Sequence, residues 1–180
     1  MIIILEGCDR TGKTTLAEEL KRLTGGTVIH ASKPTSPPLE EYLSPLIDYR
    51  PGSGETIILD RWHWGEWVWP KIFKRESEMT WKLLKSIDKQ LAAIGAMTVY
   101  CARHDYREWV KDLRANNEPI SADQLFDALD LYEKIDWAMS TSTFWYDWTD
   151  EDDMETRASV FVENAQFIED ELVNEAQANT

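Results

Sequence analysis

The sequence predicts an α/β protein, a parallel sheet covered by helices on both faces. Two observations predict it. Short, β-branched apolar runs alternate with longer helical patterns along the 180 residues. The runs are almost continuously apolar, as strands buried on both faces must be. The length suits one compact domain, residues 1–180, with a sizeable core.

IIILE, residues 2–6, reads as a buried strand, and MIIILEG as structure rather than a cleavable leader. A helix is expected from Lys13 to Leu23, ended by Gly25-Gly26. TVIH, 27–30, is a second strand, and KPTSPP a loop, because its prolines forbid a regular ladder. LEEYLSPLIDY is a short helix broken by Pro45, and TIILD, 56–60, a third strand. DRWHWGEWVW, 60–69, continues as a helix that should kink or break near Pro70. A longer helix runs from about Glu78 to Ile94, then a fourth strand, MTVYC, over 97–101. Helices near 106–115 and 121–139 flank the polar ANNEP, STFWYDW (142–148) is a fifth strand, and an acidic helix follows.

No run approaches the roughly 20 apolar residues that span a membrane. Cys8 and Cys101 form no CxxC pair, which argues for a reducing, cytoplasmic setting and against a disulfide framework or a zinc site. The net charge is −14, of which the stretch from Asp150 onward carries −9, ten acids against Arg157 alone. Those acids read as a solvated helix face. Such a field slows another polyanion, so long nucleic acid is disfavoured as a partner unless a local cationic cleft overrides it.

GCDRTGKT, residues 7–14, fits G-x-x-x-x-G-K-[ST], the Walker A phosphate loop, and lies where that motif must lie, between a strand and a helix. Gly7 and Gly12 allow Cys8, Asp9, Arg10 and Thr11 to curl their amides around phosphate oxygens. Lys13 places a charge on the β- and γ-phosphates of ATP, and Thr14, followed by Thr15, is set to ligate Mg²⁺. The helix N-terminus adds partial positive charge. Cys8 fills a wildcard position rather than acting as a perturbed thiol.

ILEGCDRTGKTTLAEEL resembles the phosphate loop of thymidylate kinases, in the variant with an arginine inside the loop, here Arg10. The resemblance implies a three-layer P-loop kinase fold with five parallel strands in the order 2-3-1-4-5. It implies that Arg10 stabilises the transferring phosphate and that Asp9 meets the acceptor's sugar hydroxyl. A fixed guanidinium suits a phosphoryl group that spreads charge over its oxygens. Asp60, ending the third strand, stands where such folds hold Mg²⁺ or its waters, and Arg61 points into the cleft beyond the strand ends. The family's D-R-[YF] motif occupies this place, which implies that Arg61 holds the acceptor phosphate while Asp60 assists transfer. Arg10, Lys13, Asp60 and Arg61 are thus the expected catalytic set.

At about 100° per residue, Trp62, Gly65, Glu66 and Trp69 share one helix face, with Trp64, Trp67 and Val68 broadly opposite. Flat rings stack on nucleobases, so Trp62 or Trp69 should line the acceptor pocket. His63 and Glu66 are candidates to hydrogen-bond the acceptor, a satisfied core histidine being the other reading of His63. DYREWVKDLRANNEP resembles the family's lid, about residues 104–120, with Arg107, Lys111 and Arg114 as candidates to close on ATP. FWYDWTDEDD resembles the loop along adenine, with Trp148 and Thr149 as its contacts.

The likeness departs on the acceptor side. SKPTSPPLEEYL replaces the family's F-P-x-R-like segment, leaving Lys33 for an arginine. The thymine-reading helix with F-x-x-x-R is reduced to Tyr49-Arg50, so the tryptophans are expected to supply the platform. The resemblance implies an ATP- and Mg²⁺-dependent kinase acting on dTMP or a related pyrimidine deoxynucleotide. The alternative is a viral, phage-type kinase that phosphorylates 5-hydroxymethyluracil within DNA, suited by an extruded base but opposed by the charge. A third reading is an ATP-binding protein without transfer. Family members often dimerise, which leaves a homodimer open.

Overall fold

In the computed structural model, which describes residues 1–149 and 153–178, five parallel strands form one sheet in the order β2-β3-β1-β4-β5. They are β1 (Ile2–Gly7), β2 (Thr27–His30), β3 (Ile57–Asp60), β4 (Ala96–Ala102) and β5 (Ser142–Asp147). The helices are α1 (Lys13–Thr24), α2 (Pro38–Leu43), α3 (His63–Ile72), α4 (Trp81–Ala93), α5 (Tyr106–Ala115), α6 (Ala122–Asp136) and α7 (Met154–Ala178). A single 3-10 turn, Ser44–Leu46, follows α2 and contains Pro45. No helix among the described residues is long and apolar enough to cross a membrane.

The alternation of side chains along β1 divides the core. Ile2 and Ile4 pack with Leu59, Trp64, Leu84 and Tyr132 from β3, α3, α4 and α6, while Ile3 and Leu5 pack with Leu16, Leu20 and Phe161 from α1 and α7. All six residues of β1 are buried, so its apolar run is explained by two covered faces. The order puts β3 and β4 on either side of β1, and the carboxyl ends of these strands open one cleft.

Element boundaries fall within about three residues of the sequence reading. α3 ends at Ile72, two residues past Pro70, so the helix stops near the proline as the sequence reading expects. The Glu66 carbonyl that the proline ring leaves without an amide faces the Ser77 hydroxyl at 3.5 Å, and the chain closes through Phe73 N–H to Trp69 O at 2.9 Å. The next helix starts at Trp81 rather than Glu78, because Thr80 caps it by accepting from Leu83 N–H at 3.2 Å. At α6, Ser121 and Gln124 form a reciprocal capping box.

Candidate active site

The phosphate loop leaves β1 at Gly7, with φ 130°. A Cβ on Gly7 would stand 2.1 Å from the Cys101 carbonyl oxygen on neighbouring β4, so only glycine passes there. Donors outside the loop hold its carbonyls: Tyr132 Oη to Gly7 O at 3.3 Å, Trp109 Nε1 to Asp9 O at 2.8 Å, and Arg103 Nη1 to Arg10 O at 3.4 Å. With these three carbonyls held from outside, the loop amides are left to serve the hollow that the loop encloses. That hollow, about 260 Å³, is lined by Asp9 to Thr15, Arg61 and Glu118. Lys13 spans the loop, donating to Cys8 O and to Thr11 Oγ1 at 3.2 Å. It is buried, and burial pulls its pKa below the ordinary lysine value. Burial pushes the Cys8 thiol up to about 12, so Cys8 is a buried filler with no nucleophilic character at neutral pH.

Asp60 sits at the end of β3 in register with Leu5 of β1 and His30 of β2. Its Oδ2 accepts from Thr14 Oγ1 at 3.3 Å and faces His30 Nδ1 at 3.1 Å, while Oδ1 is buried without a partner. Arg61 takes a left-handed φ of 61°, and its guanidinium meets Asp9 Oδ1 at 2.5 Å. Turning a non-glycine residue this way costs energy that the surrounding structure must supply. Here Arg61 N–H is held by Leu5 O at 2.9 Å.

Glu6 lines neither the phosphate hollow nor its neighbour beside α3 but braces the start of α3, a role that was not foreseen. It is fully buried, and one carboxylate oxygen accepts from Trp62 N–H at 3.0 Å and Trp64 N–H at 2.8 Å, tying β1 to the first turn of α3. Desolvation pushes its pKa up to about 7, against the lowering effect of those amides and of Lys13. A carboxyl that prefers its proton in the fold stabilises most at low pH and loses that contribution as pH rises from about 4.5 to 7. Buried His63 has a lowered pKa and works oppositely, losing stability as pH falls below its ordinary 6.5. The difference between wild type and Glu6→Gln isolates the first effect. Urea unfolding should show the variant gaining relative stability across pH 4.5–7, and parallel curves would refute the assignment.

Beside α3, in the place the sequence reading assigns to an acceptor, a hollow of about 230 Å³ is lined by Trp62, Gly65, Glu66 and Trp69, the face that helical spacing predicts, together with Lys33, Tyr42 and Arg61. Tyr42 meets Trp62 edge-on at 5.4 Å, and Trp69 stacks on Phe73 at 5.7 Å. Trp64 and Val68 are core, and Trp67 packs on Trp81 at 4.9 Å under Lys71. Glu66 is held by Arg75 at 3.1 and 2.6 Å and by Ser77 at 2.6 Å.

Two expectations on this side, Tyr49 and Arg50, are corrected, and His63 takes the core position that was the other of its two readings. His63 turns into the core, 3.4 Å from Asp88, and lines neither hollow. Asp88 in turn accepts from Ser140 and Thr141, so this pair anchors α3 to the start of β5. Tyr49 is buried against Glu169 of α7, and Arg50 folds onto the Ile47 and Tyr49 carbonyls. Neither lines the hollow beside α3, because their polar groups are spent on Glu169 and on local carbonyls.

On the other side of the loop, Lys111 is exposed and paired with Glu108 at 2.5 Å, and Arg107 and Arg114 are exposed on α5. None of the three lines the phosphate hollow. The cation that does approach the loop from this side is Arg103, buried at the end of β4, paired with Asp105 at 2.6 Å and Asp112 at 2.7 Å. Its guanidinium lies 5.3 Å from the Trp148 ring, and Trp148 itself covers Gly12. Arg103 sits in a polar stretch that gave no periodic signal. His30 ends the TVIH strand, and its approach to Asp60 depends on β2 pairing with β3. Thr149 caps Asp147 through both its amide and its hydroxyl, at 2.8 and 2.6 Å. The 150–152 part of the expected adenine loop lies outside the described residues. Arg10 lines the hollow and pairs with Glu118 at 3.1 Å across its rim.

No protein-family model matches the chain, and no curated protein matches it in sequence. Solved structures do. The chain is similar to the YorR protein of Bacillus subtilis, solved with phosphorylated GDP, at 25% identity and TM-score 0.73, covering 91% of this chain and 94% of that one. It is similar to deoxyadenosine kinase of M. mycoides, solved with dCMP and dCDP, at 16% identity and TM-score 0.54, covering 93% and 100%. It is also similar to thymidylate kinase of Ehrlichia chaffeensis, at 14% identity and TM-score 0.53, covering 92% and 98%. Together with the sheet order and the phosphate loop, these likenesses define the P-loop nucleotide kinase architecture. Within it, the chain has the thymidylate kinase-like fold.

Proposed function

We propose that the protein is an ATP- and Mg²⁺-dependent kinase that phosphorylates a deoxynucleoside monophosphate, dTMP or a related pyrimidine deoxynucleotide. The observation that carries this reading is Arg61, which lines both the phosphate hollow and the acceptor hollow. A guanidinium at that junction can hold an acceptor phosphate in line with a donor γ-phosphate. The acceptor hollow pairs cations with flat rings, the combination that a nucleotide needs.

Asp60 Oδ1, buried and unpartnered beside the Thr14 hydroxyl, fits a Mg²⁺ site. Among the described residues no cluster of three or more His, Cys, Asp or Glu stands ready to hold a metal alone. Thr14 and Asp60 would therefore hold the ion jointly with phosphate oxygens and water, and the bound ion would neutralise phosphate charge. Lys13 supplies a charge to the β- and γ-phosphates. Arg10 meets its acid partner in a part-exposed pair, which is worth little and exchanges readily for phosphate. Asp9 orients Arg61 and remains available to an acceptor hydroxyl.

Beyond the acceptor hollow lies a larger one, about 660 Å³, where Glu66 and Arg75 pair off and leave Glu76 and Glu78 against Lys33. That acidic rim repels a DNA backbone and supports a free nucleotide over 5-hydroxymethyluracil within DNA. The test is transfer from ATP with Mg²⁺ to dTMP, dUMP, dCMP, dGMP, 5-hydroxymethyl-dUMP and DNA with and without 5-hydroxymethyluracil. Diphosphate formed from a pyrimidine deoxynucleotide is the expected result. Transfer confined to modified DNA would overturn the acceptor, and ATP binding without any transfer would overturn the kinase reading.

A further inference from the structure

We infer that Arg75, pinned by a Glu66 that Ser77 also anchors, reads the distal edge of the acceptor base and selects an oxo base over an amino base. This rests on the nucleotide-kinase reading above and deepens it.

Three hollows adjoin one another and share residues in order. Arg61 belongs to the phosphate and acceptor hollows, while Lys33, Glu66 and Arg75 belong to the acceptor hollow and the outer one. An acceptor whose phosphate meets Arg61 therefore points its far end toward Glu66 and Arg75. The rings of Trp62 and Trp69 line the space between. The far end of a nucleotide is the base edge opposite the sugar. That edge carries O4 in thymine and uracil and an amino group in cytosine, and it carries O6 in guanine and an amino group in adenine.

Glu66 is itself buried and already accepts three hydrogen bonds, two from the Arg75 guanidinium and one from the Ser77 hydroxyl. Its acceptor capacity is nearly spent, so its part is to position Arg75. A guanidinium has five N–H donors and no acceptor, and two of them are engaged here. The partly exposed Arg75 thus presents only donors to the hollow. Donors attract the oxo oxygen of thymine, uracil or guanine and repel the amino group of cytosine or adenine. The fork is fixed before any ligand arrives, which limits the entropy lost on binding. It also explains what replaces the base-reading helix that the chain lacks: an arginine from the far end of α3, three residues beyond Ile72.

The test is equilibrium binding of dTMP, dUMP, dCMP, dGMP and dAMP to the whole chain by calorimetry, with ATP titrated separately. Wild type is expected to prefer dTMP over dCMP and dGMP over dAMP. Arg75→Met should shrink each preference by roughly tenfold to a hundredfold. Because that variant leaves Glu66 buried and unpaired, Glu66→Gln and the Arg75→Met/Glu66→Gln double variant are measured alongside it. Glu66→Gln, which keeps Arg75 but loosens it, should lower the dTMP-to-dCMP ratio while ATP affinity holds. A general loss of structure would weaken ATP and every acceptor alike. Monophosphates bound with an oxo-to-amino ratio that none of these variants changes would overturn this inference alone. A wild type that prefers dCMP and dAMP would also overturn it. Failure of the wild type to bind any monophosphate would overturn the kinase reading and the inference together.

Discussion

Replacing Lys13 with alanine is expected to lower kcat for phosphoryl transfer by about a hundredfold to a thousandfold, the usual effect of deleting one preorganised charge from a transition-state site. The fold should survive. Lys13 is buried, and its ammonium is desolvated among loop atoms, the Cys8 carbonyl and the Thr11 hydroxyl. Burying that charge costs stability, so its removal leaves the melting temperature level or slightly raised. One coupled change should appear. Lys13 lowers the pKa of Glu6, so its loss leaves Glu6 still more firmly protonated near neutrality. Steady-state kinetics on an accepted nucleotide, beside a thermal melt, separate the two effects. Transfer at the wild-type rate would end the proposed mechanism.

Gly7→Ala should be among the most destabilising single substitutions in the chain, costing about 3 kcal/mol or more from steric overlap and backbone strain combined. The added methyl would meet the Cys101 carbonyl oxygen at 2.1 Å and its carbon at 3.1 Å, and both belong to the paired strand rather than to a side chain that can move aside. Gly7 and Cys101 are in register, so relief requires parting β1 from β4 at the base of the phosphate loop. Gly25→Ala is the control. It also has a positive φ, 68°, but nothing lies within 4 Å of its Cβ position. It should cost about 1 kcal/mol, the strain of a left-handed alanine alone. Denaturant unfolding of both variants gives the comparison, and equal losses would show that the β4 carbonyl is not the constraint.

Much of the site was legible because its signals are local. The phosphate loop needs its glycines, lysine and threonine at fixed offsets between a strand and a helix, and all of these lie within eight residues. The face of α3 that lines the acceptor hollow follows from helical spacing, since Trp62, Gly65, Glu66 and Trp69 lie together whatever the helix packs on. Pro70 removes one amide, but a serine seven residues later meets the orphaned carbonyl, and no local rule reveals that.

What the sequence determined alone is therefore the strand–helix alternation, the phosphate loop, the Asp60-Arg61 pair and the division of the tryptophans between two faces. Each depends on the periodicity or chirality of one continuous segment. The tertiary structure alone decided which distant groups meet. It placed Tyr49 against Glu169, sent His63 to Asp88, brought Arg103 under Trp148, and buried Glu6 against the first turn of α3. It also set Arg75 on Glu66 at the rim of the acceptor hollow. The reason is that a side chain's partner depends on which strands become neighbours and how far each connection reaches. Those are long-range outcomes of burying one sheet on both faces.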